Sequence, residues 1–343
     1  MDRNLRKDPR ATPSYWKRFT PWVEDLDVEI SMLELRTGEQ VHLYEAGPQG
    51  APNVIIVSPS ESPFLLMSRV FKALSRHFRV TAWDHPAAVF MDTPADLPPP
   101  TLQRMSKDLL AIIEARGMQE AHVVSWCAGA LTILWALAQS PPTISSATFI
   151  APPSVLSHAP ERTGFQSHFL QMILELASGR HPDEAALCRQ ILTMPRGGMS
   201  SRNNVEQAIY DLTDRPVRDE TALRRYAKSI QNACITLPPS MARFRDRAYA
   251  EIVTQSSARV PLSLLHCRDD DIVSYKCSND VAARNDNVRF VLYPRGGHFV
   301  IFKEPEMLGA DIAGFVAAVH SGSGMYTYAV RKEPEEVASG AAP

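Results

Sequence analysis

From position 121 to 138 the chain reads A-H-V-V-S-W-C-A-G-A-L-T-I-L-W-A-L-A. The short apolar run over 122–126 stops at Cys127, passes through Ala128 and Gly129, and resumes as an amphipathic helical pattern to about position 139. That change of period predicts a strand, a sharp turn and a helix with nothing between them. A turn this tight strains its apex and brings the residues two positions to either side close together, so both must be small. Ser125 and Gly129 meet that condition, which puts Cys127 at the apex.

The chemistry of the apex follows from its position. A thiol at the first turn of a helix faces the positive end of the macrodipole and unpaired backbone N–H groups, which favour an anion there. The amide of Ala128 points at any oxyanion formed at that place, and Trp126, beside the apex, is a candidate substrate contact. Ser125 is the rival nucleophile, but choosing it would set Val123 and Cys127 where small residues belong. The competing view of Cys127 is a buried, inert cysteine. What decides between the two is the rest of the chain.

With 343 residues the chain can bury one large core and still carry an insertion. Its hydrophobic share of 45% and charged share of 22% are those of a soluble globular protein. A net charge of −2 gives no basis for a nucleic-acid or membrane-surface partner. The opening M-D-R-N-L-R-K-D-P-R lacks an apolar segment behind its charges, and the apolar run 131–138 is too short to cross a bilayer. The five cysteines, at 127, 188, 234, 267 and 277, are odd in number and hold no C-x-x-C pair, which argues against a disulfide framework and against a zinc site. A cytoplasmic location is expected.

Taken in order, residues 1–26 are a polar lead with aromatic anchors at Tyr15, Trp16, Phe19 and Trp22, expected to dock on the body. Residues 27–35 and 40–44 alternate apolar and polar around Thr37-Gly38-Glu39, as an edge hairpin does. Strands are then expected at 54–57, 78–83 and 146–150, with helices at 64–75 and 101–117. Strands alternating with helices imply an α/β fold with a mostly parallel central sheet. Residues 153–258 break the alternation with helical stretches at 164–178, 183–192, 204–212, 220–233 and 241–253, and are expected to form a lid. Arginines of this insertion, among them Arg215, Arg218, Arg224, Arg225, Arg243, Arg245 and Arg247, alternate with acids as on a solvated helix face. Strands resume at 262–266 and 288–293, with helices at 278–284 and 311–320 and a tail from 321 that holds a possible ordered patch at 325–330.

Two late loops supply what a thiol nucleophile needs. The strand 262–266 is followed by C-R-D-D-D-I-V, and the strand 288–293 by P-R-G-G-H-F-V. His298, after two glycines and before a helix, can reach over the sheet edge as a base, and an Asp of the preceding loop can hold its other ring nitrogen. The remaining histidines, His266 inside its strand included, show no metal-ligand spacing, and no metal site is expected.

The order nucleophile, Asp, His on strand-loop positions of a wound sheet resembles the α/β-hydrolase fold superfamily over about residues 27–320. The resemblance implies a core of 27–152 and 259–320, a helical lid of 153–258, a lead of 1–26 and a tail of 321–343. In the family pattern the acid stands three residues after a small residue and two before an Ile-Val pair; this selects Asp270, with Asp269 and Asp271 as solvated or loop-capping neighbours. The family's oxyanion segment corresponds to Ser58-Pro59-Ser60, so the second donor is expected to be the amide of Ser60, since Pro59 has none. Glu61 beside it could meet the ammonium of an aminoacyl substrate or be a surface carboxylate, and His85, in W-D-H-P, could line the pocket.

Cysteine in place of serine turns the acyl-enzyme into a thioester, close in energy to an incoming thioester and readily attacked by thiols and amines. The expected activity is therefore acyl transfer through Cys127, His298 and Asp270, from a coenzyme A or carrier-protein thioester, with no cofactor beyond the phosphopantetheine or coenzyme A of the substrate. This is similar to the cysteine-dependent aminoacyltransferases of the superfamily that shuttle amino acids between carrier proteins in natural-product biosynthesis. Two alternatives stand beside it: a hydrolase (a thioesterase or an ester or lactone hydrolase), and a non-catalytic binding homologue. Partners are a thioester substrate, in one form an acyl or peptidyl carrier protein, with no nucleic acid and no membrane.

Overall fold

The β-branched and aliphatic runs of the sequence form the strands of one sheet. In the computed structural model the described residues are 16, 26–35, 38, 40–60, 62–84, 100–158, 160–193, 220–235, 248–322 and 329–330. Among them the strands are β1 (Glu29–Glu34), β2 (Gln40–Ala46), β3 (Asn53–Val57), β4 (Arg79–Asp84), β5 (Ala121–Trp126), β6 (Ile144–Ile150), β7 (Leu262–Cys267), β8 (Val288–Tyr293) and β9 (Ala329–Val330). They lie in the order β1-β2-β4-β3-β5-β6-β7-β8-β9. The β1–β2 and β2–β4 pairs are antiparallel and all others parallel.

The α-helices among the described residues are α1 (Ser68–Leu74), α2 (Leu102–Ala115), α3 (Gly129–Leu137), α4 (Gln171–Ser178), α5 (Glu184–Thr193), α6 (Glu220–Ile235), α7 (Ala248–Ser257), α8 (Tyr275–Ala283), α9 (Val300–Lys303) and α10 (Pro305–His320). None is long and apolar enough to cross a membrane.

Successive strand residues point to opposite faces, and both faces are covered. Val54, Ile56, Val124, Leu265 and Val291 pack with Phe71 and Leu74 of α1 and Leu308 and Ile312 of α10. Ile55, Val57, Val123, Leu264 and Phe290 pack on the other side with Leu109 and Ile112 of α2 and Leu134 of α3. Burying an aliphatic side chain of this size contributes about 1.5–3 kcal/mol, so these two layers carry the fold. Of the aromatic residues in the lead, Trp16 is buried and stacks on Tyr44 with ring centroids 5.1 Å apart; Tyr15, Phe19 and Trp22 lie outside the described residues.

Several elements depart from the sequence expectation. The helix expected at 64–75 opens as a 3-10 turn, Phe64–Met67, before α1. The one expected at 164–178 opens as a π turn, Gln166–Leu170, before α4. The last helix starts at Pro305 rather than 311, because proline is well suited to the first turn of a helix, where its missing N–H leaves no partner unmet. The tail adds β9 to the sheet beside β8.

Helices α4, α5 and α6 share a small apolar cluster of their own, including Ile173, Leu176, Ile191 and Leu223. Arg224 of α6 is paired with Glu220 and Glu184, but Arg225 is buried, so it does not belong to a solvated face. The helix expected at 204–212 lies outside the described residues, as does the first part of the one expected at 241–253.

Candidate active site

β3 and β5 are neighbours, and the order of the sheet reverses around them, β4 standing on one side and β6 on the other. In a wound sheet the crevice at such a reversal opens at the carboxyl ends of the strands. The residues that follow β3 and β5 there are Ser58 to Ser60 and Cys127.

Cys127 has φ +49, a left-handed conformation that a side-chain-bearing residue adopts at a cost of about 1–3 kcal/mol. Its amide is held by the Ile150 carbonyl at 2.9 Å, and its thiol is half-buried. Gly129 is required by close packing: a Cβ there would stand 2.4 Å from the Val57 carbonyl oxygen and 3.2 Å from the Ser125 Cβ. The same approach sets the elbow against the 57–58 backbone. Ser125 is fully buried, and its hydroxyl has no partner among the described residues.

His298 comes from the loop after β8. Gly296 and Gly297 shape that loop with φ +133 and +64, and the Asp269 carboxylate accepts from both of their amides, at 3.2 and 2.8 Å. The ring Nδ1 of His298 donates to Asp270 Oδ2 at 2.9 Å, while Asp270 Oδ1 accepts from the amides of Ile272 and Val273 at 2.9 and 2.8 Å. Asp270 is therefore the acid on the imidazole and Asp269 the clamp on its loop; Asp271 is exposed. Trp126 is buried behind His298, its indole N–H donating to the His298 carbonyl at 2.9 Å with the rings 5.0 Å apart.

Electrostatics join the three groups. Burial alone would lower the His298 imidazole, but the charges of Asp270 and Cys127 and hydrogen bonds to both outweigh it and raise it to about 10. Burial would raise the Asp270 carboxyl, yet the charge of His298 and hydrogen bonds from His266 and His298 hold it well below the usual carboxylate range. The thiols of Cys188, Cys267 and Cys277 are buried, and burial is the first cause that pushes each of them up, Cys267 to about 12. Cys127 alone of the described cysteines stands at the elbow beside an imidazole.

The amides of Ala128 and Ser60 have no hydrogen-bond acceptor among the described residues, which leaves both able to receive an oxyanion. The Ser60 hydroxyl meets that of Ser229, on α6, at 3.2 Å, so the helical insertion reaches this loop. Glu61 and His85 lie outside the described residues. Two supporting residues escaped the sequence reading. Asp84, buried at the end of β4, accepts from the Phe64 amide and the Tyr44 hydroxyl, each at 2.6 Å, and so holds the segment that follows Ser60. His266 is no isolated strand residue but touches Asp270.

Comparison with known proteins follows the same outline. The sequence matches the family described as alpha/beta hydrolase fold over residues 64–305, well over half of its length. The chain belongs to the alpha/beta hydrolase fold family. Among solved structures, a lipase candidate from Acinetobacter baumannii AYE superposes with a TM-score of 0.64 at 14% identity, covering 91% of this chain and 98% of its own. Carboxylesterase CesB from Bacillus subtilis gives 0.58 at 14% identity, with 89% and 97% covered. The enol-lactonase from Burkholderia xenovorans LB400 gives 0.58 at 16% identity, with 84% and 100% covered. At these identities the likeness is one of fold. The alpha/beta hydrolase sheet of these proteins is the frame on which this chain mounts Cys127, His298 and Asp270.

Proposed function

We propose that this alpha/beta hydrolase family member is an acyltransferase that carries its acyl group on Cys127. The observation that supports the reading best is a cysteine at the left-handed apex of the elbow, whose charge acts on an imidazole that Asp270 holds at 2.9 Å. His298 takes the thiol proton, and Cys127 Sγ attacks the carbonyl carbon of a thioester. The resulting oxyanion is received by the amides of Ala128 and Ser60. Its collapse breaks the bond to the incoming sulfur, and His298 returns the proton to that leaving thiol. An acceptor thiol or amine then gives its proton to His298, attacks the acyl-Cys127 thioester, and Cys127 leaves. Donors that fit are coenzyme A and carrier-protein thioesters. A cytoplasmic setting suits the reactive thiol, and the described cysteines form no disulfide.

A second reading, hydrolysis of an ester, thioester or lactone by the same residues, draws support from the carboxylesterase and enol-lactonase that share the fold. Product analysis separates the two. With a coenzyme A thioester, transfer predicts that added amine or thiol acceptors take most of the acyl group, and that Cys127→Ser shifts the balance toward slow release of free acid. Rapid free-acid release that acceptors do not divert would reject transfer in favour of hydrolysis.

A further inference from the structure

His266 lies on β7, four residues before Asp270, with its side chain fully enclosed. Its Nε2 stands 3.0 Å from the Val273 carbonyl oxygen and 3.2 Å from Asp270 Oδ2, and its Nδ1 3.0 Å from the Ser278 hydroxyl. Both neighbours of Nε2 are acceptors only, so Nε2 carries the hydrogen, and the Ser278 hydroxyl is placed to donate to Nδ1. The tautomer is thus set by three fixed partners, all of them on the loop and helix that follow β7.

We infer that His266 is a positioning residue for the reactive centre, its Nε2–H shared between the Val273 carbonyl and Asp270 Oδ2 so that the carboxylate is approached by two imidazoles. The inference rests on the acyl-transfer reading only in naming that centre reactive. Asp270 has room for about four hydrogen bonds. The Ile272 and Val273 amides occupy Oδ1 and His298 donates to Oδ2, while the single His266 Nε2–H, bonded to the Val273 carbonyl at 3.0 Å, also stands 3.2 Å from Oδ2. Held by three hydrogen bonds and this fourth, shared donor, the carboxylate neither turns away from His298 nor gathers a proton of its own. Because His266 draws on the same oxygen, it also limits how strongly Asp270 retains the His298 proton, which must be released again in each half-reaction. Among the described residues, the ionisable groups beside the carboxylate are His266, His298, Asp269 and Cys267, with Cys127 next to His298.

The test is titration of the His298 ring by NMR in the full chain, with unfolding temperature measured in parallel. His266→Leu and His266→Asn both remove the donor to Asp270, since the asparagine amide is too short to reach it, whereas His266→Gln carries an amide N–H to about the place of Nε2. The expected result is that His298 titrates about half a pH unit higher in the Leu and Asn variants, because Asp270 has lost a competing donor, and near its original value in His266→Gln. An unchanged or lowered titration in both loss variants, or a Gln variant that behaves as they do, would overturn the assignment even if stability fell. Acylation of Cys127 is read separately. Labelled Cys127 with no shift would reject the role of His266 alone, and a shift without labelling would uphold the hydrogen-bond role while rejecting the acyl-transfer reading.

Discussion

Cys127 and Gly129 express one constraint at the scale of single residues: the chain must turn within two residues while α3 packs on the backbone after β3. Gly129→Ala should therefore destabilise the protein by about 1–3 kcal/mol, because the added methyl meets a carbonyl oxygen at 2.4 Å and the backbone must shift. Denaturant unfolding checks this; a loss under about 0.5 kcal/mol, the usual range of a neutral surface change, would contradict the close packing. The elbow at Cys127 and the pairing of His298 with an Asp of the preceding loop were legible in the sequence because a tight turn and two short loops leave few choices of residue. His266 and Asp84 were not, because their roles depend on which strand ends the fold brings together. Nothing in the local pattern distinguishes a histidine inside a buried strand from one that holds a carboxylate four residues on.

Among the elements, the strands were legible to within two or three residues, since buried parallel strands are continuous β-branched and aliphatic runs. The 3-10 opening at Phe64–Met67 and the π turn at Gln166–Leu170 were not, as their periods differ from the 3.6 that marks an α-helix. The helical insertion meets the loop after β3 through the Ser60 and Ser229 hydroxyls. Ser229→Ala removes a hydrogen bond of about 1 kcal/mol. It should speed amide exchange across α6 while leaving β5 and β6 unchanged. Equal exchange of α6 in both proteins would mean that this bond does not hold the helix to the core.

For the molecule as a whole, the two apolar layers on the sheet supply the stability against which the site's charges act. The raised His298 imidazole contributes stability that is fully present below its unfolded value of about 6.5 and is lost as pH rises through about 10. The depressed Asp270 carboxyl contributes stability present above its unfolded value of about 4 and lost only as pH falls toward its much lower folded value. The unfolding free energy should thus decline between pH 7 and 10, and decline less in His298→Gln; parallel slopes for the two proteins would contradict the charged pair. The α/β architecture was legible from the alternation of elements, and the edge strand β9 was not, being two residues of a tail read only as a possible ordered patch. The central claim is that one sulfur carries the acyl group, and intact mass after incubation with a panel of coenzyme A and carrier-protein thioesters tests it most directly. The expected result is a single added acyl mass that disappears in Cys127→Ala; no adduct with any thioester, or an adduct that persists in Cys127→Ala, would contradict acylation of this sulfur.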